Sequence, residues 1–474
     1  MHARCPVVSG TPLACGLPSQ FQAIGEISML DVLKNRTYRH LFTAQVIALI
    51  GTGLATVALG LLAYDLAGAN AGSVLGTALA IKMVAYVGVA PVVGAYANRL
   101  PRRAFLVAMD LIRAAVAISL PFVNEIWQIY ILIFVLQSAS AAFTPTFQAT
   151  IPDVLRDEKD YTRALSLSRL AYDMESLVSP MLAAALLSVI SFHWLFGGTV
   201  VGFLISAALV VSVSLPQSRA KEITGSIYAK TFRGISIYLR TPRLKGLLAL
   251  NLAAAAASAM VIVNTVVYVQ SKLQRPSTDV PFALAAFGCG SMLVALLLPR
   301  LLDKRPDRPA MLTGATIMAI GLAVGSLVAF AGGPFEWHAL LLTWFGIGVG
   351  YSMTQTPSGR LLKRSASSAD RPAVFAAQFS LSHACWLITY PLAGQLGARL
   401  GMGPTAAVMS VITVVGLFMA WKLWPSRDED VIAHEHPDEE GMHVHLAEGE
   451  RTGERSHRHA FTIDDQHPRW PDAH

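Results

Sequence analysis

Residues 164–190 read ALSLSRLAYDMESLVSPMLAAALLSVI. The length and apolarity of this stretch indicate a membrane-spanning helix, because about 20 apolar residues cross a bilayer. Its first half nevertheless contains Arg169, Asp173 and Glu175. A charge at the bilayer centre costs about 2.5–3.5 kcal/mol on insertion scales, so charged residues in a span usually face a polar interior. We therefore interpret this helix as part of the lining of a wet passage that the rest of the chain encloses.

The composition of the whole chain indicates a protein with many membrane spans. Of its 474 residues, 54% are hydrophobic and 14% are charged, whereas soluble proteins average about 25% charged residues. The four cysteines have no paired spacing, so neither a disulfide framework nor a thiolate metal site is expected. The sequence has no Gly-x-x-x-x-Gly-Lys-Ser/Thr motif and no visible nucleophile–base pair, which argues against direct ATP use and against an enzyme.

Twelve apolar segments predict an all-α membrane protein with twelve transmembrane helices. The candidate spans are 40–66, 73–97, 104–123, 127–147, 164–190, 195–215, 245–269, 282–301, 310–331, 338–358, 373–398 and 404–423. Basic residues concentrate in every second loop, which places those loops and both termini in the cytosol. We attribute the basic excess of the body to these loops, so nucleic acid is not an expected partner.

The chain divides into two halves that repeat short motifs. NRLPRR at 98–103 and DKRPDR at 303–308 follow the second and the eighth span, as expected for a duplicated six-helix unit. The predicted organisation is an N-terminal cytosolic segment at 1–38, an N-terminal six-helix bundle at 39–215, a central cytosolic loop at 216–244, a C-terminal six-helix bundle at 245–424 and a His-rich acidic cytosolic tail at 425–474.

The loop after the second span resembles a motif of a known superfamily. It reads Gly94-Ala-Tyr-Ala-Asn98-Arg99-Leu-Pro-Arg102-Arg103, and it is similar to the Gly-x-x-x-Asp-Arg-x-Gly-Arg-Arg motif of the major facilitator superfamily. The resemblance extends over about residues 38–424 and implies a secondary transporter of two pseudo-symmetric six-helix bundles that works by alternating access. Asn98 stands where an Asp is usual; it can hydrogen-bond but cannot hold an ion pair. Asp110 and Arg113, one turn apart, resemble the exporter branch that includes siderophore exporters.

Two interpretations of the charges in the fifth span stay open. Arg169 and Asp173 are four residues apart and share a helix face, so they can neutralise each other and leave Glu175 free. Alternatively Glu175, with or without Asp173, binds a cation or cycles a proton, because a carboxyl group removed from water is readily protonated. Asp173 and Glu175 point about 200° apart on a regular helix.

Further polar residues in predicted spans are candidates for the same passage. Lys82 near the middle of the second span either extends to an interface or pairs with a carboxylate such as Glu175, and an incoming cation or proton could open that pair. His383 in the eleventh span is either a packing residue or a proton carrier. The remaining cavity candidates are Asn251, Asn264 and Gln355.

The tail combines acidic residues with histidines. Three His-x-His pairs occur there, namely His434 and His436, His443 and His445, and His457 and His459. Imidazole binds Ni²⁺, Zn²⁺, Cu²⁺ and Co²⁺, and this spacing lets neighbouring rings reach one ion from an extended chain. The composition predicts a polar, disordered tail. A solvated acidic tail with incidental histidines is the alternative.

The exporter-like body and the His-rich tail together resemble the nickel-resistance branch of the superfamily. This resemblance implies proton-coupled export of Ni²⁺, with Co²⁺ as a second ion, across the cytoplasmic (inner) membrane of a bacterium. The expected form is a monomer in the lipid bilayer with no resident cofactor. Two alternatives stay open: an exporter of amphipathic organic compounds such as drugs or siderophores, and a membrane metal sensor or buffer that acts through the tail.

Overall fold

The structure is a computed structural model. It describes residues 29–96, 101–155, 157–215, 227–302, 306–331, 336–367, 370–426, 431–435, 450–451, 456–463, 467 and 470. Six long helices form the first half: α1 (Arg36–Ala67), α2 (Ala71–Tyr96), α3 (Arg102–Ser119), α4 (Ile126–Val154), α5 (Glu158–Leu187) and α6 (His193–Val211).

The second half has the same plan with two additional short helices. Its elements are α7 (Ile227–Arg240), α8 (Pro242–Val267), α9 (Val280–Leu302), α10 (Asp307–Phe330), α11 (Trp337–Gln355), α12 (Ser358–Arg364), α13 (Arg371–Leu400) and α14 (Met402–Leu423). The predicted all-α class is confirmed for the body of the chain. Among the described residues, eight segments are long and apolar enough to cross a bilayer, the first of which contains α1 and most of α2. The long helices α5, α11 and α13 are not among them, so the number of twelve spans stays a prediction.

The helix ends follow local sequence signals. The Asn35 side chain accepts a hydrogen bond of 3.0 Å from the Tyr38 backbone N–H at the start of α1, which satisfies a donor that the helix itself cannot pair. Glu125 and Gln128 form a capping box at the start of α4. Prolines occupy the first turns of α8 and α13. The backbone N–H that proline lacks would have no partner within the helix at these positions.

The two halves pack with the same pattern of neighbours. In the first half α1 packs on α6, α2 on α4, and α3 on both α4 and α6. In the second half α8 packs on α14, α9 on α11, and α10 on both α11 and α14. Across the halves, α2 packs on α13 and α5 on α9. This repeated pattern is that of two related six-helix bundles.

We call the face of the molecule where α1 begins the terminal face, and the opposite face the distal face. Near the distal face α2 and α13 meet backbone to backbone. A Cβ atom on Gly394 would lie 2.2 Å from the Gly72 carbonyl oxygen, and one on Gly76 would lie 2.5 Å from the Tyr390 carbonyl oxygen. Only glycine permits this approach, so the two bundles are closed against each other at the distal face.

The central loop predicted at 216–244 contains a helix, which the sequence interpretation missed. α7 packs on α13, where a Cβ on Gly234 would lie 2.2 Å from the Ala373 carbonyl oxygen. The buried Tyr238 hydroxyl donates a hydrogen bond to Gln378 Oε1. Burial raises the pKa of Tyr238 well above its usual range, so its hydroxyl stays a donor. α7 is therefore attached to the second bundle.

The prediction of a disordered tail is wrong for three segments. Strands β1 (Val431–Glu435), β2 (Glu450–Arg451) and β3 (Ser456–Ala460) form an antiparallel sheet in the order β1-β3-β2. The physical reason is an apolar anchor that follows β3. Phe461 is 2% exposed and contacts Trp470, with ring centroids 5.1 Å apart. Arg243 at the start of α8 lies 5.3 Å from the Trp470 ring centroid, so the tail docks on the terminal face.

Candidate functional site at the contact between the bundles

Lys82 on α2 and Glu175 on α5 are electrostatic partners. Each is the charged group that acts on the other. Among the side chains that the structure describes, neither has an ion-pair partner within 4.0 Å. The Lys82 ammonium lies 5.9 Å from the centroid of the Tyr86 ring, one turn further along α2. Within the described structure, Lys82 and Glu175 therefore interact electrostatically without forming a direct ion pair.

Glu175 belongs to a polar stripe on α5. Ser168, Tyr172, Glu175 and Ser179 follow at intervals of four, three and four residues, which places them on one face of the helix. The Ser168 hydroxyl donates to Gln45 Oε1 on α1 over 3.1 Å, and the Tyr172 side chain lies beside Gln45 and Thr144. The stripe therefore faces α1 and α4.

Gly53 on α1 makes room for this stripe. A Cβ there would lie 2.1 Å from Ser179 Oγ and 3.5 Å from Glu175 Cγ. The sequence analysis did not identify Gln45 or the stripe as a whole. The spacing of its four residues is a signal that could have revealed it.

His383 on α13 contacts the first bundle. Its ring is stacked on Tyr86, with centroids 5.8 Å apart and planes inclined by 8°. Its Nδ1 donates to the Phe379 carbonyl oxygen over 2.7 Å, since a carbonyl oxygen only accepts. In the neutral ring Nε2 is then left as an acceptor. Phe379 also contacts Tyr86, with ring centroids 6.4 Å apart. His383 therefore joins the two bundles beside Lys82.

A cavity between α1, α2 and α4 reaches Lys82 from inside the first bundle. Its polar lining consists of Thr52, Thr56, Lys82, Gln137 and Ser140. Gln137 Oε1 is buried and has no hydrogen-bond partner in the described structure. A buried amide oxygen without a partner is costly, which makes it a candidate acceptor for water or cargo.

Asp110 and Arg113 on α3 form a buried ion pair inside the first bundle. Asp110 also accepts a hydrogen bond of 2.8 Å from the Ser206 hydroxyl on α6. The Arg113 guanidinium lies 4.4 Å from the Phe143 ring centroid and 4.5 Å from that of Phe203. This cluster ties α3 to α4 and α6, and we assign it to the scaffold of the site.

The remaining cavity candidates lie apart from the Lys82–Glu175 pair. Gln355 on α11 donates to Asn251 Oδ1 on α8 over 3.2 Å, within the second bundle. Asn264 on α8 donates to the Ala393 carbonyl oxygen over 3.1 Å, at the closed distal contact. Arg169 and Asp173 lie on α5, but their side chains are outside the described part of the structure.

The loop motif connects helices of the first bundle at the terminal face. Arg102 pairs with Asp153 at the end of α4, and Arg103 donates to the Val211 carbonyl oxygen at the end of α6. Gly94 lies in α2. Asn98 and Arg99 fall outside the described residues.

The predicted metal ligands of the tail are partly outside the described structure. His434 lies on β1, and His457 and His459 lie on β3, while the structure does not describe His436, His443 and His445. The side chains that the structure does describe include no group of three or more His, Cys, Asp or Glu placed to hold a metal ion.

Two related helical bundles that meet at polar and charged residues are an architecture typical of membrane transporters. The sequence model described as Major Facilitator Superfamily matches residues 41–335 and 247–461, and the chain belongs to this superfamily. The MFS-type transporter YvqJ of Bacillus subtilis (strain 168) is 23% identical over 423 residues, which are 85% of this chain and 96% of that protein. Macrolide efflux protein A of Streptococcus pyogenes is 25% identical over 219 residues, which are 45% of this chain and 53% of that protein.

Solved structures show the same fold. A bacterial homologue of the human lysosomal transporter Spinster, in an inward-facing and unoccupied conformation, matches with a TM-score of 0.66 at 12% identity, over 82% of this chain and 96% of that chain. The D-xylose–proton symporter matches with a TM-score of 0.63 at 14% identity, over 85% of this chain and 99% of that chain. The predicted fold class, an all-α membrane protein with the major facilitator fold, is thereby confirmed.

Proposed function

We propose that the chain exports amphipathic organic compounds from the cytosol in exchange for protons. The observation that carries this proposal is the surroundings of the Lys82–Glu175 pair, which lies beside Tyr86, Tyr172 and His383. Aromatic rings stack on flat cargo and attract cationic groups, while the few charged groups fix its orientation. The similarity to macrolide efflux protein A supports the same class of cargo.

Glu175 is the proposed proton carrier. A carboxyl group beside a single cation is either ionised and attracts that cation, or protonated and releases it. Lys82 is one turn from Tyr86, which contacts His383 of the other bundle. A change in the charge of Glu175 therefore alters the electrostatic environment of the contact between the bundles. Cargo and proton then compete for one carboxylate, as proton-coupled export requires.

The closed distal face gives the proposed state of the cycle. With the basic loops in the cytosol, the terminal face is cytosolic and the distal face is external. Closure through Gly72 and Gly394 then corresponds to an inward-facing conformation in a bacterial inner membrane. We propose that one chain is sufficient for transport, because both bundles and the site between them come from the same polypeptide.

The test is uptake into inverted membrane vesicles from a host without its own drug exporters. Energised vesicles with the intact chain should accumulate a labelled macrolide or a cationic dye, and a protonophore should abolish the accumulation. Vesicles with Glu175→Gln or Lys82→Ala should lose it. Unchanged uptake rates in both variants would show that Glu175 and Lys82 are not part of the transport mechanism.

Export of Ni²⁺ or Co²⁺ is the second candidate function. It is favoured by the three His-x-His pairs of the tail, which provide nitrogen ligands at the expected cytosolic face. Growth of a metal-sensitive host on Ni²⁺ and Co²⁺, compared with growth on a drug panel, separates the two cargoes. Deletion of the residues after Arg427 distinguishes a transporter from a metal sensor or buffer. After this deletion a sensor loses its response, while a transporter retains efflux.

A further inference from the structure

The cavity that reaches Lys82 is lined by side chains whose oxygen atoms are left as hydrogen-bond acceptors. The hydroxyls of Thr52, Thr56 and Ser140 donate to carbonyl oxygens one turn back on their own helices, over 2.9, 3.0 and 3.0 Å. A hydroxyl has one hydrogen, so each of these oxygens can only accept a further bond. Gln137 Oε1 is an acceptor without a partner in the described structure. The cavity therefore lacks a donor.

The size of the cavity suits the ammonium group of a lysine. Its volume is about 20 Å³, and about 10–15 Å³ are enough for one water molecule, which an ammonium group resembles in size. An ammonium group has three donors and no acceptor, so it complements a lining of acceptors better than water does. Lys82 is itself part of this lining, and its four-carbon side chain is flexible. Its ammonium can therefore enter the cavity without movement of a helix.

We propose that this cavity is a second binding position for the Lys82 ammonium, which it occupies when Glu175 is protonated. The proposal rests on the proposed function, in which Glu175 is the proton carrier. The ionised carboxylate of Glu175 attracts the ammonium towards α5. When that carboxyl group is neutral, the buried cation still needs acceptors, because a buried charge without partners is costly. The oxygens of α1 and α4 supply them, and Gln137 acts as a positioning residue for Lys82.

The other groups around Lys82 do not replace this position. Of the titratable side chains that the structure describes, Glu175 on α5 and His383 on α13 interact electrostatically with Lys82, and Tyr86 lies one turn further along α2. His383 belongs to the second bundle, so any bond to it is lost when the bundles separate. The cavity is formed by helices of the first bundle and has no charged lining residue other than Lys82. It therefore stays with Lys82 through the transport cycle.

The test is a set of melting temperatures of the purified full-length chain in detergent, with Glu175→Gln as a mimic of the protonated carboxyl group. In this background Gln137→Leu should lower Tm, because it removes an acceptor of the buried ammonium. When Lys82→Met is also present, Gln137→Leu should leave Tm unchanged or raise it, since a buried amide without a partner is then removed. In the chain with intact Glu175, the loss caused by Gln137→Leu should be smaller.

A second variant and a matched control complete the experiment. Thr56→Val keeps the shape of the side chain and removes one acceptor, so it repeats the test even if Gln137→Leu does not fold. Thr146→Val is the control, because Thr146 is buried on α4, donates to a carbonyl of its own helix over 3.2 Å and does not line the cavity. Its effect on Tm should not depend on Lys82.

Two results would overturn the proposal. One is a loss of Tm on Gln137→Leu that is the same with and without Lys82, which would mean that Gln137 only packs or holds water. The other is an unchanged or higher Tm on Gln137→Leu in the Glu175→Gln background, which would mean that the ammonium does not use this acceptor. The measurement requires neither cargo nor a proton gradient, so its failure is distinguishable from a failure of the vesicle uptake experiment.

Discussion

The ring of His383 on α13 is stacked on the ring of Tyr86 on α2, with centroids 5.8 Å apart. The contact joins the two bundles one turn from Lys82, and Lys82 is the electrostatic partner of Glu175. Because Tyr86 neighbours Lys82 and also carries the contact, we expect protonation of the site to be linked to separation of the bundles.

Loss of the stacked pair should alter the balance between the conformations of the transporter. An aromatic pair contributes about 0.5–1.5 kcal/mol beyond its buried area, which corresponds to about a two- to tenfold change in an equilibrium constant. Tyr86→Leu and His383→Leu should each change the transport rate by this factor. The double variant should resemble the single ones, because the second change removes a contact that is already lost. Fully additive effects would contradict a direct coupling of the two rings.

The glycine contact should control opening of the distal face. Gly394→Ala places a methyl group 2.2 Å from the Gly72 carbonyl oxygen, whereas Gly88→Ala on α2 meets no atom within 4 Å. In a cysteine-free chain with Ser73→Cys, labelling by a membrane-impermeant maleimide should increase with Gly394→Ala and not with Gly88→Ala. Equal labelling in both variants would show that this contact does not close the face.

The Asp110–Arg113 pair should stabilise the first bundle rather than move protons. Removal of one partner leaves a buried charge without compensation, which costs about 3–5 kcal/mol. Asp110→Asn and Arg113→Leu should therefore lower Tm markedly in detergent, while the double replacement Asp110→Asn with Arg113→Leu should recover part of the loss. A stable Asp110→Asn protein that has lost proton coupling would show that Asp110 takes part in proton transfer and does not only stabilise the bundle.

The tail should detach when its aromatic anchor is removed. A cation–π contact such as that of Arg243 with Trp470 contributes about 0.5–2 kcal/mol. Trp470→Ala should make the tail more sensitive to limited proteolysis without loss of efflux. Trp421→Ala is the matched control, because Trp421 lies on α14 and is 59% exposed. Equal cleavage of both variants would mean that the tail is not held through Trp470.

The sequence predicted the fold well, because apolar length and basic loops are local signals. It also suggested Glu175 or Asp173 as a partner for Lys82, since a buried charge needs one of opposite sign, beside the alternative that Lys82 extends to an interface. Two features could not be predicted from the sequence. The Tyr86–His383 contact depends on how α2 packs against α13, about 300 residues further along the chain. The tail sheet depends on an anchor of Phe461 and Trp470, which composition alone does not reveal.

The most direct test of the central claim is proton movement driven by cargo in proteoliposomes. A cargo gradient should change the internal pH when the vesicles contain the intact chain. It should change the pH equally with Asp65→Asn, a carboxylate exposed on α1. With Glu175→Gln the cargo should no longer move protons, and the signal should fall at least about tenfold, a difference of about 1.4 kcal/mol. Proton movement at the full rate with Glu175→Gln would contradict the account.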